Sequence, residues 1–90
     1  MINASVRKRL NNLMTRITNL NQTHMGQRIY RMELKRDYVH VECTAVTPTL
    51  NQINVSRLIT YSELESMMSD HQCGACLASI SRDIGLELGE

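Results

Sequence analysis

The spacing of apolar residues along this chain changes from a helical period to a strand period, which limits the fold to helices combined with a sheet. Near the start, apolar residues recur every three or four positions, which places them on one side of a helix. They are Val6, Leu10, Leu13, Ile17 and Leu20. We therefore expect a helix over about residues 4–21, with Asn3 or Ser5 as its N-cap.

From residue 30 onward, apolar and polar residues alternate, a pattern typical of strands with one buried and one solvated face. The alternation covers residues 30–35 and 39–45, with a tight turn between them. A loop at residues 47–52 contains the only proline, and residues 53–59 follow as a less regular third strand. The pattern predicts a three-stranded antiparallel sheet that begins with a hairpin.

Helix signals return at Thr60, which fits a capping box with Glu63, in which each side chain binds the other's backbone N–H. The box predicts a short helix with Leu64, Met67 and Met68 facing inward.

After a break at residues 70–72, a second helical stripe predicts a last helix that ends at Gly85. Its members are Cys73, Cys76, Leu77, Ile80 and Ile84. Leu86 and Leu88 then suggest a short tail strand. The prediction for residues 1–90 is a single α+β domain, with an N-terminal helix packed on a three-stranded antiparallel sheet and followed by two short C-terminal helices.

The composition suggests a small core and assembly into a homodimer. The 90 residues contain no Phe and no Trp, and small domains bury a lower share of their surface than large ones. The stripe of the first helix either packs only on the chain's own sheet or also forms the interface with a second copy. Three cysteines, an odd number, argue against a disulfide framework. No apolar stretch is long enough to span a membrane, so we expect a cytoplasmic protein without membrane contact.

Charge is distributed unevenly along the chain. Residues 1–36 carry eight basic and one acidic side chain, whereas residues 37–90 carry two basic and eight acidic ones. Such an asymmetry favours either a surface that faces a polyanion or contact between unlike parts.

Three cations at the start of the first helix oppose the helix dipole, which favours anions at that end. A local rule broken without compensation tends to mark function. We therefore expect a small non-enzymatic regulator that contacts nucleic acid through the first helix and the hairpin. The candidate residues are Arg7, Lys8, Arg9, Arg16, Arg28, Arg31, Lys35 and Arg36.

The alternative is a protein-binding inhibitor or adaptor, of a phage or mobile-element type, that blocks a host nuclease or defence complex. Its acidic C-terminal part would then imitate nucleic-acid phosphates. The candidate carboxylates are Glu63, Glu65, Asp70, Asp83, Glu87 and Glu90.

The run Cys73-Gly74-Ala75-Cys76 leaves a third alternative, a zinc- or redox-dependent protein. A helix N-terminus can stabilise a thiolate, but zinc needs four ligands and this run supplies two. Both cysteines also fall on the apolar stripe of the last helix. We expect them to be reduced, buried and free of metal, and we expect no cofactor.

Residues 59–81 have the outline of a helix-turn-helix. The run from Ile59 to Leu64 resembles the Ile-Thr-Tyr-x-x-Leu segment that opens this motif in alkyltransferase-like domains. That family's active-site Pro-Cys-His-Arg is not present, so no catalytic role carries over. The second helix offers few cations to a DNA groove, so we do not expect it to read DNA. No catalytic motif brings the histidines together, and we expect no enzyme.

Overall fold

The computed structural model describes residues 2–24 and 26–89 and has the predicted α+β arrangement. In chain order its elements are α1 (Ala4–His24), β1 (Arg28–Leu34), β2 (Tyr38–Val46), β3 (Gln52–Thr60), α2 (Tyr61–Ser66) and α3 (His71–Leu88). The three strands form one antiparallel sheet in the order β1-β2-β3. Within the described residues, no helix is long and apolar enough to cross a membrane.

Helix α1 begins where the sequence predicts and ends three residues later than predicted. Of the two candidate N-caps, Asn3 is the one that acts, because its Oδ1 accepts a hydrogen bond of 2.9 Å from the Val6 backbone N–H. The helix continues to His24, and Asn21 lies inside it. The Asn21 side chain instead binds the edge of the sheet. Its Nδ2 donates to the Tyr30 carbonyl at 3.0 Å, and its Oδ1 accepts from the Tyr30 N–H at 2.7 Å.

The sheet has one face under the helices and one face without a cover from any described residue. Tyr30, Cys43 and Val55 lie side by side on the covered face, where α1 packs chiefly against β1 and α3 against β3. We call the other side the open face, and none of its residues is buried. It comprises Ile29, Arg31, Glu33, Tyr38, His40, Glu42, Thr44, Val46, Gln52, Asn54, Ser56, Leu58 and Thr60.

The capping box at α2 is confirmed, since Thr60 and Glu63 exchange both bonds. The helix is short and the chain leaves it at Met67. The expectation that Met68 faces inward is wrong, because this residue lies beyond the helix and is 90% exposed.

The predicted end of α3 at Gly85 and the tail strand are also wrong. The helix runs to Leu88, and Gly89 caps it with a φ of 81°, a left-handed conformation that glycine adopts easily. Ile84 is fully buried and Leu88 packs against the core. The core contact of Leu88 therefore favours one further helical turn over a strand.

The core lies between the covered face and the three helices. It is built without Phe or Trp, so aliphatic side chains, two tyrosines and two cysteines fill it. Leu13, Leu64, Ile80 and Ile84 are among its fully buried members.

Candidate binding surfaces

Half of the predicted basic residues are engaged in contacts within the chain. The guanidinium of Arg9 forms an ion pair with Asp70 and donates to the Met67 carbonyl at 2.8 Å. Its side chain is only 15% exposed. This cation from the basic part therefore holds the loop between α2 and α3 in the acidic part.

Arg16 also lies against the start of α3. Its Nε donates to Asn12 Oδ1 at 2.8 Å, and its Nη2 donates to the Asp70 carbonyl at 3.4 Å. The guanidinium rests on Gly74, where an added Cβ would lie 2.8 Å from Arg16 Nη1. Because Gly74 has no side chain, the Arg16 guanidinium can lie against α3 at this position.

Two more of the predicted cations have partners. Arg28 is 9% exposed, and its Nη1 donates to the Ser81 hydroxyl at 3.2 Å. Lys35 donates to Glu33 Oε1 at 2.8 Å, and this hydrogen bond lowers the pKa of the Glu33 carboxyl.

The remaining four candidates, Arg7, Lys8, Arg31 and Arg36, are exposed and form no ion pair with any residue that the structure describes. They do not share one surface. Arg7 and Lys8 lie on α1 at one side of the sheet, whereas Arg31 projects from the open face. Arg36 lies in the β1–β2 turn.

That turn and the start of α1 lie at the same end of the molecule. The Tyr61 N–H donates to the Asp37 carbonyl at 3.1 Å, which holds the turn against α2. Asn3 donates to Glu65 Oε1 at 3.0 Å, which holds α2 against the start of α1. Asp37, Glu63 and Glu65 therefore accompany the cations at this end, and the end carries both signs of charge.

The predicted acidic surface is likewise dispersed. Asp70 pairs with Arg9, and Asp83 pairs with Arg57 of β3. Glu63 belongs to the capping box and Glu65 binds Asn3. Glu87 is exposed in the last turn of α3, and Glu90 lies outside the described residues.

The residues expected at a dimer interface are used in the core. Val6, Leu10, Leu13 and Ile17 are at most 6% exposed, and Leu20 packs against them. The structure thus supports the first reading of the stripe, packing on the chain's own sheet. The homodimer remains a prediction, and it would have to use another surface.

The polar groups of α3 partly face the sheet. Arg57 of β3 donates to Ser79 Oγ at 3.3 Å and pairs with Asp83. These two side chains are therefore engaged with their own sheet.

The three cysteine thiols differ in how deeply they are buried. Cys43 and Cys73 are fully buried, whereas Cys76 is only half-buried, so the prediction of burial is right for Cys73 and wrong for Cys76. Burial raises the pKa of each thiol above its ordinary value. Among residues 2–24 and 26–89, no group of three or more His, Cys, Asp or Glu side chains could hold a metal ion.

We predict that a thiol reagent labels native protein slowly near neutral pH, and at Cys76 first. A raised pKa lowers the fraction of thiolate, which is the reacting form, and burial shields Cys43 and Cys73 from the reagent. Mass spectrometry of labelled protein before and after denaturation measures this, with three labels expected after unfolding. Rapid labelling of native Cys73, or a Cys73–Cys76 disulfide, would contradict the prediction.

The open face carries apolar side chains that sequence reasoning did not single out. Ile29, Val46 and Leu58 are 39%, 56% and 52% exposed there. Ile29 and Val46 lie just outside the predicted alternation at residues 30–35 and 39–45, and extending it to the observed strand ends would place them at solvated positions. His40 lies directly across from Leu58, so the central strand continues this mixed surface.

Both edges of the sheet are partly occupied. Asn21 satisfies the backbone of Tyr30 on β1, and Arg57 donates to the Ser56 carbonyl of β3 at 2.8 Å. An added strand would have to displace these bonds. The surface most readily available to a partner is therefore the open face.

Comparison of this chain with known protein families, curated proteins and solved structures found no match to any of the three.

Proposed function

We propose that this chain is a non-enzymatic binding protein that docks on another protein through the open face of its sheet. The observation that carries the proposal is the uncovered face itself, on which exposed Ile29, Val46 and Leu58 lie among polar side chains. Ile29 lies opposite Thr44 and Leu58 lies opposite His40, so these apolar groups are spread over the face. Exposed apolar side chains among polar ones are found on surfaces that bind other proteins.

The charges of the open face favour a protein over a nucleic acid as the partner. Arg31 lies directly opposite Glu42 in the register of β1 and β2. Glu33 adds a second carboxylate on the same face. A surface with both signs of charge repels phosphates as well as attracting them, whereas nucleic-acid affinity depends on accumulated positive charge.

This proposal keeps the alternative of a protein-binding inhibitor or adaptor. It assigns the docking surface to the open face and not to the acidic residues. The acidic residues first considered are mostly engaged inside the chain, so phosphate mimicry is a weaker basis for docking than the open face. A phage or mobile-element inhibitor of a nuclease or defence complex is one form that such a protein would take.

The open face is tested by quantitative capture of partners from the native cell with tagged protein. We expect wild type to retain a specific protein after nuclease treatment. Changing Ile29→Glu together with Leu58→Glu should weaken that retention roughly tenfold or more, because buried apolar anchors dominate interface energies.

The matched control is Leu86→Glu, which places the same charge at a 68% exposed leucine on α3. It should retain the partner as wild type does. Circular dichroism of all three proteins checks the fold. A partner that stays on the open-face variant, or leaves on nuclease treatment, would count against the proposal.

Nucleic-acid binding is the second candidate, favoured by exposed Arg7 and Lys8 at the start of α1. If it holds, the same capture returns nucleic acid, and Arg7→Ala with Lys8→Ala lowers the salt slope of binding by about two units. Arg9 is left out of this variant because its ion pair with Asp70 supports the fold. No retention of DNA or RNA by wild type at about 50 mM salt would reject this candidate.

A further inference from the structure

A groove of about 360 Å³ lies between α1 and α3, on the side of the sheet away from the open face. Leu20, Leu77 and Ala78 supply its apolar wall, and Arg16, Asn19 and Ser81 its polar groups. Its volume falls at the lower end of the range for small-molecule sites. The two helices thus leave a space with an apolar wall. Arg16 lies at one end, and Ser81, which accepts a hydrogen bond from Arg28, lies at the other.

The cation at that end has no carboxylate partner among residues 2–24 and 26–89. Arg16 is half-buried, yet its partners among these residues are the neutral Asn12 amide and the Asp70 backbone carbonyl. The Asp70 carboxylate pairs with Arg9 instead. A charge removed from water is costly unless it is paired, so this guanidinium is suited to an incoming anion.

The charges nearest to Arg16 favour an anion with a single negative charge. Arg9, Arg16 and Asp70 together carry a net charge of one positive unit. A dianion such as phosphate would be repelled by the nearby Asp70 carboxylate. The Nη1 of Arg16 has no acceptor in the described part of the chain, so it can donate a charge-assisted hydrogen bond to a carboxylate oxygen.

We infer that the groove between α1 and α3 binds a small monocarboxylate with an apolar body, its carboxylate on Arg16 and its chain along Leu20, Leu77 and Ala78. Gly74 is a positioning residue for this site, because a Cβ there would lie 2.8 Å from Arg16 Nη1 and would push the guanidinium out of its present position. The site is independent of the open face and of the proposed docking partner.

The test is a titration of the protein with octanoate, in which nuclear magnetic resonance monitors the amide chemical shifts. Saturable shifts are expected along residues 16–20 and 74–81. Octanol, which has the same apolar chain without the charge, should bind at least tenfold more weakly, as expected for loss of a charge-assisted hydrogen bond.

Three variants sharpen the test. Arg16→Gln removes the charge and should weaken octanoate binding at least tenfold. Gly74→Ala keeps the charge but displaces the guanidinium, and alanine favours the helix, so affinity should fall without loss of stability. Arg82→Gln removes the same charge from a side chain that is 73% exposed on α3, and it should bind as wild type does.

Several outcomes would overturn the inference. One is the absence of saturable shifts up to roughly 10 mM octanoate, which is also the result expected if a partner protein's carboxylate fills the groove. Another is equal binding of octanol and octanoate. The third is wild-type affinity in folded Gly74→Ala and Arg16→Gln proteins.

Discussion

Replacing Leu13 with alanine should lower the free energy of unfolding by about 2–5 kcal/mol, the usual cost of removing a fully buried leucine side chain. Leu13 is 0% exposed at the centre of the α1 stripe. The core has no Phe or Trp that could shift into the cavity. Since the free energy of unfolding of small domains is about 5–15 kcal/mol, this single change should remove a large part of the protein's stability. Urea denaturation followed by circular dichroism measures it.

The neighbouring Met14 provides the control for this experiment. It lies on the same helix and is 54% exposed, so Met14→Ala should change stability by no more than about 0.5 kcal/mol. The midpoint of urea unfolding should not depend on protein concentration if the α1 stripe packs only in the chain's own core. Equal losses for both variants would contradict the burial of Leu13, and a concentration-dependent midpoint would indicate a dimer that unfolds together with its chains.

Asn21→Ala should lower the free energy of unfolding by about 1–3 kcal/mol, the cost of leaving partly buried polar groups without partners. The Asn21 amide binds both the N–H and the C=O of Tyr30, as a neighbouring strand would. The variant removes both bonds at once. The backbone of Tyr30 should then exchange its amide hydrogen faster than in wild type, which nuclear magnetic resonance detects.

Gln22→Ala is the matched control, because Gln22 is the next residue of α1 and is exposed. It should leave both stability and Tyr30 exchange close to wild type. Asn21→Asp separates the two bonds, since it keeps an acceptor for the N–H and loses the donor to the carbonyl. If the Tyr30 amide hydrogen exchanged as slowly in Asn21→Ala as in Gln22→Ala, some group other than Asn21 would be protecting the β1 edge of the sheet.

The elements could be predicted because their signals are local. The α1 stripe, the alternation in β1 and β2 and the capping box at Thr60 and Glu63 each depend on residues a few positions apart. The errors arose where a local signal competed with packing. Gly85 looks like a helix end, but burial of Ile84 and packing of Leu88 carry α3 one turn further.

The candidate sites could not be predicted in the same way. The charge asymmetry along the chain indicated two surfaces, one basic and one acidic. In the fold, Arg9 meets Asp70 across 61 positions and Arg57 meets Asp83 across 26. Oppositely charged groups that partly leave water gain by pairing, so folding neutralises charges that the sequence displays far apart.

By itself, the sequence determined the α+β class, the order of the elements and most of the residues that face the core, Met68 being an exception. These follow from periodicities of 3.6 and 2 residues, which the backbone geometry of neighbouring residues imposes. Only the tertiary structure decided which cations have no ion pair within residues 2–24 and 26–89, and that Arg16 rests on Gly74 beside an apolar groove. It also decided that no described residue covers the second face of the sheet. Those properties depend on how α1, α3 and the sheet pack. Contacts between segments far apart in the chain produce no periodic pattern in the sequence.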